Sequence, residues 1–261
     1  MKDPARLRIG MLGLYGMPLP QLHFTGFETA FGEIAPRLVA AGHEVTIYCR
    51  GGQYPAQLRV SEHKGVRLKY VPSPGGKNLS GLVATFLSAL HALAIGRYDL
   101  FFFVNVGMGH HAALCRIMGA TVVMNVDGLD WKRAKWGLFA RLYFRTAARS
   151  AILFCNRLIT DAEAMRKIYL EEFGKETTMI AYGAYVESSE NPEVVRQFGV
   201  EPAGYYLIAS RLIPENHADL IMRGFLKSGT NKKLLIAGGA NYDSPFHRSH
   251  SRSVGDQGAA L

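Results

Sequence analysis

The sequence predicts a doubly wound α/β domain followed by the opening of a second. Two observations carry this. Strand-like and helix-like segments alternate along the chain, and the strand-like runs are continuously apolar, as in a parallel sheet covered on both faces. Leu7–Leu14 reads as the first buried strand, and Glu28–Ala41 as a helix stopped by Gly42, with Pro36 expected to kink it. Val45–Cys49 and Val66–Val71 are strands, Leu79–Ile95 a helix, Leu100–Val104 a strand, His110–Met118 a short helix and Thr121–Val126 a strand. A basic helix follows, then strand Leu158–Thr160, helix Ala162–Phe173 and strand Thr178–Ala181. The polar run ESSENPE marks a change of domain. Beyond it lie a short helix at Pro192–Phe198, strand Tyr205–Ser210, helix Ala218–Lys227 and strand Lys233–Ala237. The expected organisation is an N-terminal Rossmann-like domain at 1–187, an incomplete second domain at 188–246 and an irregular polar tail at 247–261. The tail, HRSHSRSVGDQGAAL in its surroundings, has neither helical nor strand periodicity and is read as a truncation or change of frame.

Composition narrows the class. The chain has 261 residues, 48% of them hydrophobic, with 30 Lys+Arg against 21 Asp+Glu, hence a net charge of +9. Apolar content is too high for a disordered chain. Cys49, Cys115 and Cys155 are far apart, which argues against a disulfide scaffold or a cysteine zinc site and fits a reducing compartment. The start MKDPARLRIG has no leader pattern, and no apolar run is long enough to span a bilayer, so a cytoplasmic protein is expected.

The charge is concentrated. Residues 131–160 hold seven bases, among them Arg141, Arg145 and Arg149 four apart, and no acid. On a helix these three form one stripe, while Trp136, Phe139, Tyr143 and Ala147 fall on another side. Two readings stay open: an ordinary surface helix with its aromatics on the core, or a basic-aromatic helix touching anionic lipid. Nucleic acid is disfavoured by the lack of any recognisable module or basic arm.

Three segments carry candidate chemistry. The first strand leads through Gly10, Gly13 and Gly16 to a long loop ending at Thr25-Gly26-Phe27-Glu28, where a helix start offers N–H groups to phosphate. Thr25 and Glu28 equally fit a capping box. The glycine spacing is not G-x-G-x-x-G, and strand two ends at Arg50 with no acid for an NAD ribose, leaving only a remote NADP reading. Asp127-Gly128 stands at the carboxyl end of a buried strand, where open α/β sheets hold their ligands; Asp130 beside it also fits a helix cap. Trp131 and Trp136 are packing residues by default.

GFETAFGEIAPRLVAAGHEVTIYCR, NVDGLDWKRAKWG and ASRLIPENHADLIMRGF, in this order, resemble glycosyltransferase family 4, nearest its rhamnosyltransferase-like subgroup. The resemblance spans about Leu7 to His247. It implies the GT-B architecture, two Rossmann-like domains with the nucleotide sugar held mainly by the second, and neither a cofactor nor a motif-held metal. Residue by residue, Gly26 matches the second glycine of the phosphate-facing loop, with Thr25 in place of the first. Glu28 matches the acid of the G-F-E string. Asp127 stands where many members have a histidine near the reacting sugar, and is the expected catalytic residue. Arg211 matches the arginine on the donor diphosphate, with Glu215 in the same donor-side run and Asn216 where a lysine usually follows. Glu163 and Glu171 reproduce the family's E-x7-E spacing, but on a first-domain helix, so the match is coincidental.

The resemblance therefore implies sugar transfer from a nucleotide-sugar donor, with rhamnose the suggested sugar, to a saccharide or lipid-linked acceptor in cell-envelope polysaccharide synthesis. The stripe at Arg141, Arg145 and Arg149 would hold such an enzyme peripherally on the inner face of the plasma membrane. Weak or absent turnover is expected of this chain. The rival is a non-catalytic fragment that binds acceptor or membrane surface.

Overall fold

The computed structural model describes residues 6–22, 26–74, 76, 79–95, 98–133, 136–186, 188 and 190–238, and they fall into two compact units divided after Ala184. Thr25 and the 247–261 tail lie outside the described residues, as does the side chain of Glu215.

The first unit is built on an eight-stranded sheet. Its elements in chain order are β1 (Arg8–Leu12), α1 (Gly26–Ala40), β2 (Glu44–Arg50), β3 (Glu62–His63), β4 (Val66–Val71), α2 (Ser80–Ile95), β5 (Leu100–Val104), α3 (Gly109–Ile117), β6 (Thr121–Asn125), α4 (Leu138–Phe154), β7 (Arg157–Thr160), α5 (Glu163–Phe173) and β8 (Thr178–Met179). The spatial order is β3-β4-β2-β1-β5-β6-β7-β8, parallel throughout except for β3 against β4. Order reverses at β1 and β5, the switch point of a doubly wound sheet, where ligands bind outside the strands' carboxyl ends.

Successive residues along a strand serve opposite cores. Met11 and Ile47 pack with Phe31 and Ala35 of α1, whereas Leu12 and Tyr48 join a second core with Ala89 of α2, Ala112 of α3, Ala148 of α4 and Tyr169 of α5. α1 runs through Pro36 as one helical element. The small strand β3 was not foreseen. It pairs with β4 through Lys64 (φ 51°) and Gly65 (φ 75°), two left-handed residues of a tight hairpin.

All three cysteines are buried, and burial pushes the Cys49 thiol up to about 11 and those of Cys115 and Cys155 to about 12. The thiolate is the reactive form, so the native protein at about pH 8 is expected to resist Ellman's reagent until guanidinium unfolds it. Rapid reaction without denaturant would contradict this packing.

The second unit holds β9 (Tyr205–Ala209), α6 (Ala218–Lys227) and β10 (Lys233–Ala237), a parallel pair with its crossover helix. Ile208, Leu212, Ala218 and Ile236 form its core. The segment Pro192–Phe198 is 3-10 helix, ended by Gly199 in the left-handed conformation. Among the described residues, no helix is long and apolar enough to cross a membrane.

Candidate functional site

At the carboxyl edge of the first sheet, β6 ends in Asn125, whose side-chain oxygen accepts the Asp127 N–H at 3.0 Å. This Asx turn lifts Asp127 off the strand, and Gly128 (φ 85°) takes the left-handed conformation that lets the chain double back. The Asn125 amide donates to the Tyr182 hydroxyl at 3.2 Å. Asp161, the residue after β7, has one buried carboxylate oxygen without a hydrogen-bond partner. Burial, and then the neighbouring Asp161, pushes the Asp127 carboxyl above its ordinary range, against the opposing pull of the Gly128 N–H and Arg133. Burial and the same two aspartates raise the Tyr182 phenol. Asp130 is 5% exposed and pairs with Arg133 at 3.2 Å, so it anchors this loop. Trp131 packs edge-on against Tyr169 and Phe173, and the Trp136 ring is tilted against Phe144.

Asn125, Asp161 and Tyr182 were not singled out from sequence. Asn125 ends β6, Asp161 follows β7 and Tyr182 stands three residues beyond β8, so a search at the carboxyl ends of these three adjacent strands would have found them. A carboxylate with a raised proton affinity beside a second carboxylate and a phenol can hold a sugar hydroxyl, accept its proton or face a developing positive centre.

The β1–α1 loop is organised by Glu28, which is 3% exposed and accepts the Tyr15 backbone N–H at 2.9 Å. Arg50 donates to the Gly13 carbonyl at 3.2 Å and stacks over the Tyr15 ring at 4.1 Å. Burial lowers the Arg50 guanidinium. These bonds commit Arg50 to holding the loop, so the cofactor role left open for it finds no support here. Gly26 opens α1, and a Cβ there would meet nothing within 4 Å, so packing does not require glycine.

In the second unit Arg211 follows β9 and is exposed. Asn216, standing in a 3-10 turn with Pro214 and Glu215, donates its side-chain amide to the Arg211 carbonyl at 2.8 Å. Arg141, Arg145 and Arg149 are exposed along α4. Glu163 and Glu171 are solvated, paired with Arg166 and Lys167 on their own helix. Among the described residues no group of three or more His, Cys, Asp or Glu could hold a metal ion.

The model of Glycosyltransferase Family 4 matches residues 24–184, the segment that contains Glu28, Asp127 and Tyr182. The chain belongs to Glycosyltransferase Family 4. Similar solved structures include a sucrose-phosphate synthase from Thermosynechococcus elongatus, 13% identical over 98% of this chain and 70% of that one, with a TM-score of 0.74. Anabaena HepE in complex with UDP and glucose is 15% identical over 98% and 69%, with a TM-score of 0.69. TarM is 8% identical over 98% and 75%, with a TM-score of 0.64. No curated protein matches the sequence significantly. The fold is that of GT-B glycosyltransferases, and this family 4 member is a glycosyltransferase.

Proposed function

We propose that this family 4 glycosyltransferase moves a sugar, with rhamnose the suggested one, from a nucleotide donor to a saccharide or lipid-linked acceptor of cell-envelope polysaccharide. The observation that carries the proposal is the placing of Asp127, with raised proton affinity, beside Asp161 and Tyr182 at the carboxyl edge of the family-matched sheet. A nucleotide donor is supported by the fold neighbour HepE, which is described in complex with UDP and glucose.

In this scheme Asp127 faces the reacting sugar, where its carboxylate stabilises the oxocarbenium-like centre or holds the acceptor hydroxyl. The Gly26 helix start offers N–H groups to phosphate or acceptor, and Glu28 keeps that loop in shape, with Thr25 preceding it. Arg211 neutralises the departing diphosphate, held in place through Asn216, with Glu215 in the same turn. The exposed stripe of Arg141, Arg145 and Arg149 faces an anionic membrane surface.

The test is acceptor-dependent release of nucleoside diphosphate across a panel of UDP-, dTDP- and GDP-sugars, with calorimetric binding of the free nucleotides. Arg211→Ala is expected to weaken nucleoside-diphosphate binding by about 10- to 100-fold, the usual worth of a charge-assisted contact. Equal affinity in the variant would remove Arg211 from the donor site. Binding of acceptor with no turnover on any donor would favour the non-catalytic fragment.

A further inference from the structure

The outward face of α4 is not simply basic. Leu138 is 79% exposed, Phe139 88%, Leu142 57% and Leu153 77%. Advancing about 100° per residue, Leu142, Leu153 and Phe139 occupy one half of the solvent-facing arc and Arg141 and Arg145 the other, with Leu138 and Arg149 together at the seam. The buried side of the helix is lined instead by Ala147, Ala148, Ser150 and Ala151, all small. Phe144 and Ile152 pack inward beside these small residues, whereas Leu138, Phe139, Leu142 and Leu153 are apolar groups of α4 that the core leaves uncovered. Lys132 pairs with Glu172 and Arg133 with Asp130, but among the described residues no carboxylate pairs with the three stripe arginines.

A solvated surface helix has no reason to expose a phenylalanine and three leucines together. A polyanion accounts for the arginine half alone, and a protein partner would need an apolar patch edged by carboxylates to cover both. An anionic bilayer interface takes both at once, because phosphates and acyl boundary lie a few ångströms apart in depth.

We propose that α4 lies in the plane of an anionic bilayer, with Leu138, Phe139, Leu142 and Leu153 entering the acyl boundary and Arg141, Arg145 and Arg149 on lipid phosphates. The proposal rests on the membrane reading of the arginine stripe and adds insertion to it. It has a consequence for the site. Leu138 follows Asp127 in the β6–α4 connection, so docking at the start of α4 tethers the carboxyl edge of β6 to the lipid surface. An acceptor carried on a lipid would meet Asp127 there without leaving the membrane.

The experiment uses the full chain with vesicles of phosphatidylglycerol and phosphatidylethanolamine, and of phosphatidylcholine alone as control. Sedimentation is expected to show binding to the anionic vesicles only. The triple variant Arg141→Gln, Arg145→Gln, Arg149→Gln should lose about 100-fold in partitioning, from roughly fivefold per charge. The variant Leu138→Ser, Phe139→Ser, Leu142→Ser should lose about tenfold or more through the missing apolar burial. These positions are exposed, so both variants should melt as the parent does. Phe139→Cys, labelled with an environment-sensitive fluorophore against a background of three buried thiols, should shift to the blue on binding and be quenched from within the bilayer. If the serine variant binds like the parent, or the label stays in water, insertion is wrong while the arginine stripe stands. If the parent does not bind, both fail. A parent dimer that the serine substitutions break would make a second copy of the chain the occupant and overturn the proposal.

Discussion

Asp127→Asn is expected to slow sugar transfer by about 100-fold or more and, at neutral pH, to make the protein more stable. The first effect follows from the role proposed for Asp127, because a charge facing a reacting centre in a site of low dielectric is worth roughly two to three powers of ten. The second follows from the raised proton affinity of the folded carboxyl. Between the unfolded pKa and the higher folded one, the native state binds more proton than the unfolded state, so stability falls as pH rises through that interval. Above it the ionised Asp127 carries its full burial and Asp161 penalty, which asparagine does not. The melting temperature of the variant should therefore exceed the parent's at pH 7, by roughly 2–4 °C for each kcal/mol relieved, and the gap should close on acidification. Reduced activity with a lower melting temperature at all pH values would mean that Asp127 is structural. Unchanged activity would take the reaction away from it.

Gly109→Ala should be the most damaging small substitution in the first unit. Gly109 begins α3 against α4, and a methyl group there would collide with the Ala147 carbonyl, with its carbon at 2.8 Å and the Ala151 nitrogen at 3.1 Å. The backbone of a buried helix cannot give way as a side-chain tip can. The hydroxyl of Ser150 also donates to the Gly109 carbonyl at 3.0 Å, so separating the helices strains or breaks that bond. A loss of about 3 kcal/mol is expected, at the upper end for overpacking, which in a chain of this size lowers the melting temperature by roughly 6–12 °C. The conformation at Gly109 is ordinary right-handed helix (φ −56°), where alanine is preferred by about 1 kcal/mol, so the loss comes from the collision alone and outweighs that preference. A melting temperature within a degree of the parent's would show that α3 and α4 are less closely packed than described.

The order and type of the long elements were legible because each is a local pattern. β4, β5, α6 and β10 occupy the stretches that their apolar runs and helical periods indicate. β3 was not legible. It is two residues long, and its Lys64-Gly65 turn lacks the Asn-Gly or Asp-Gly signature of a tight hairpin. Phe139 is instructive because one of the two open readings of its helix placed it on the core. Its spacing from Trp136 and Tyr143 suggested a core-facing aromatic stripe, yet it is 88% exposed. α3 meets α4 closely along the small residues Ala147, Ala148, Ser150 and Ala151, the inward aromatic places are taken by Tyr143 and Phe144, and Phe139 is left on the outward side.

The candidate residues divide the same way. Asp127 and Gly128 in the first unit, and Arg211 in the second, were singled out from short contiguous strings, and the turn at Gly128 is itself local. Asn125 and Tyr182 are 57 residues apart and share a hydrogen bond only because β6, β7 and β8 are neighbours in the sheet. By itself the sequence determined the alternation of strands and helices, the family and the surplus of charge at 131–160, all properties of segments. Tertiary structure alone decided which carboxylates share a site, what their proximity does to Asp127, and that the arginines of α4 share their face with exposed leucine and phenylalanine. Those are properties of strand order and of close helix contact, which no window along the chain contains.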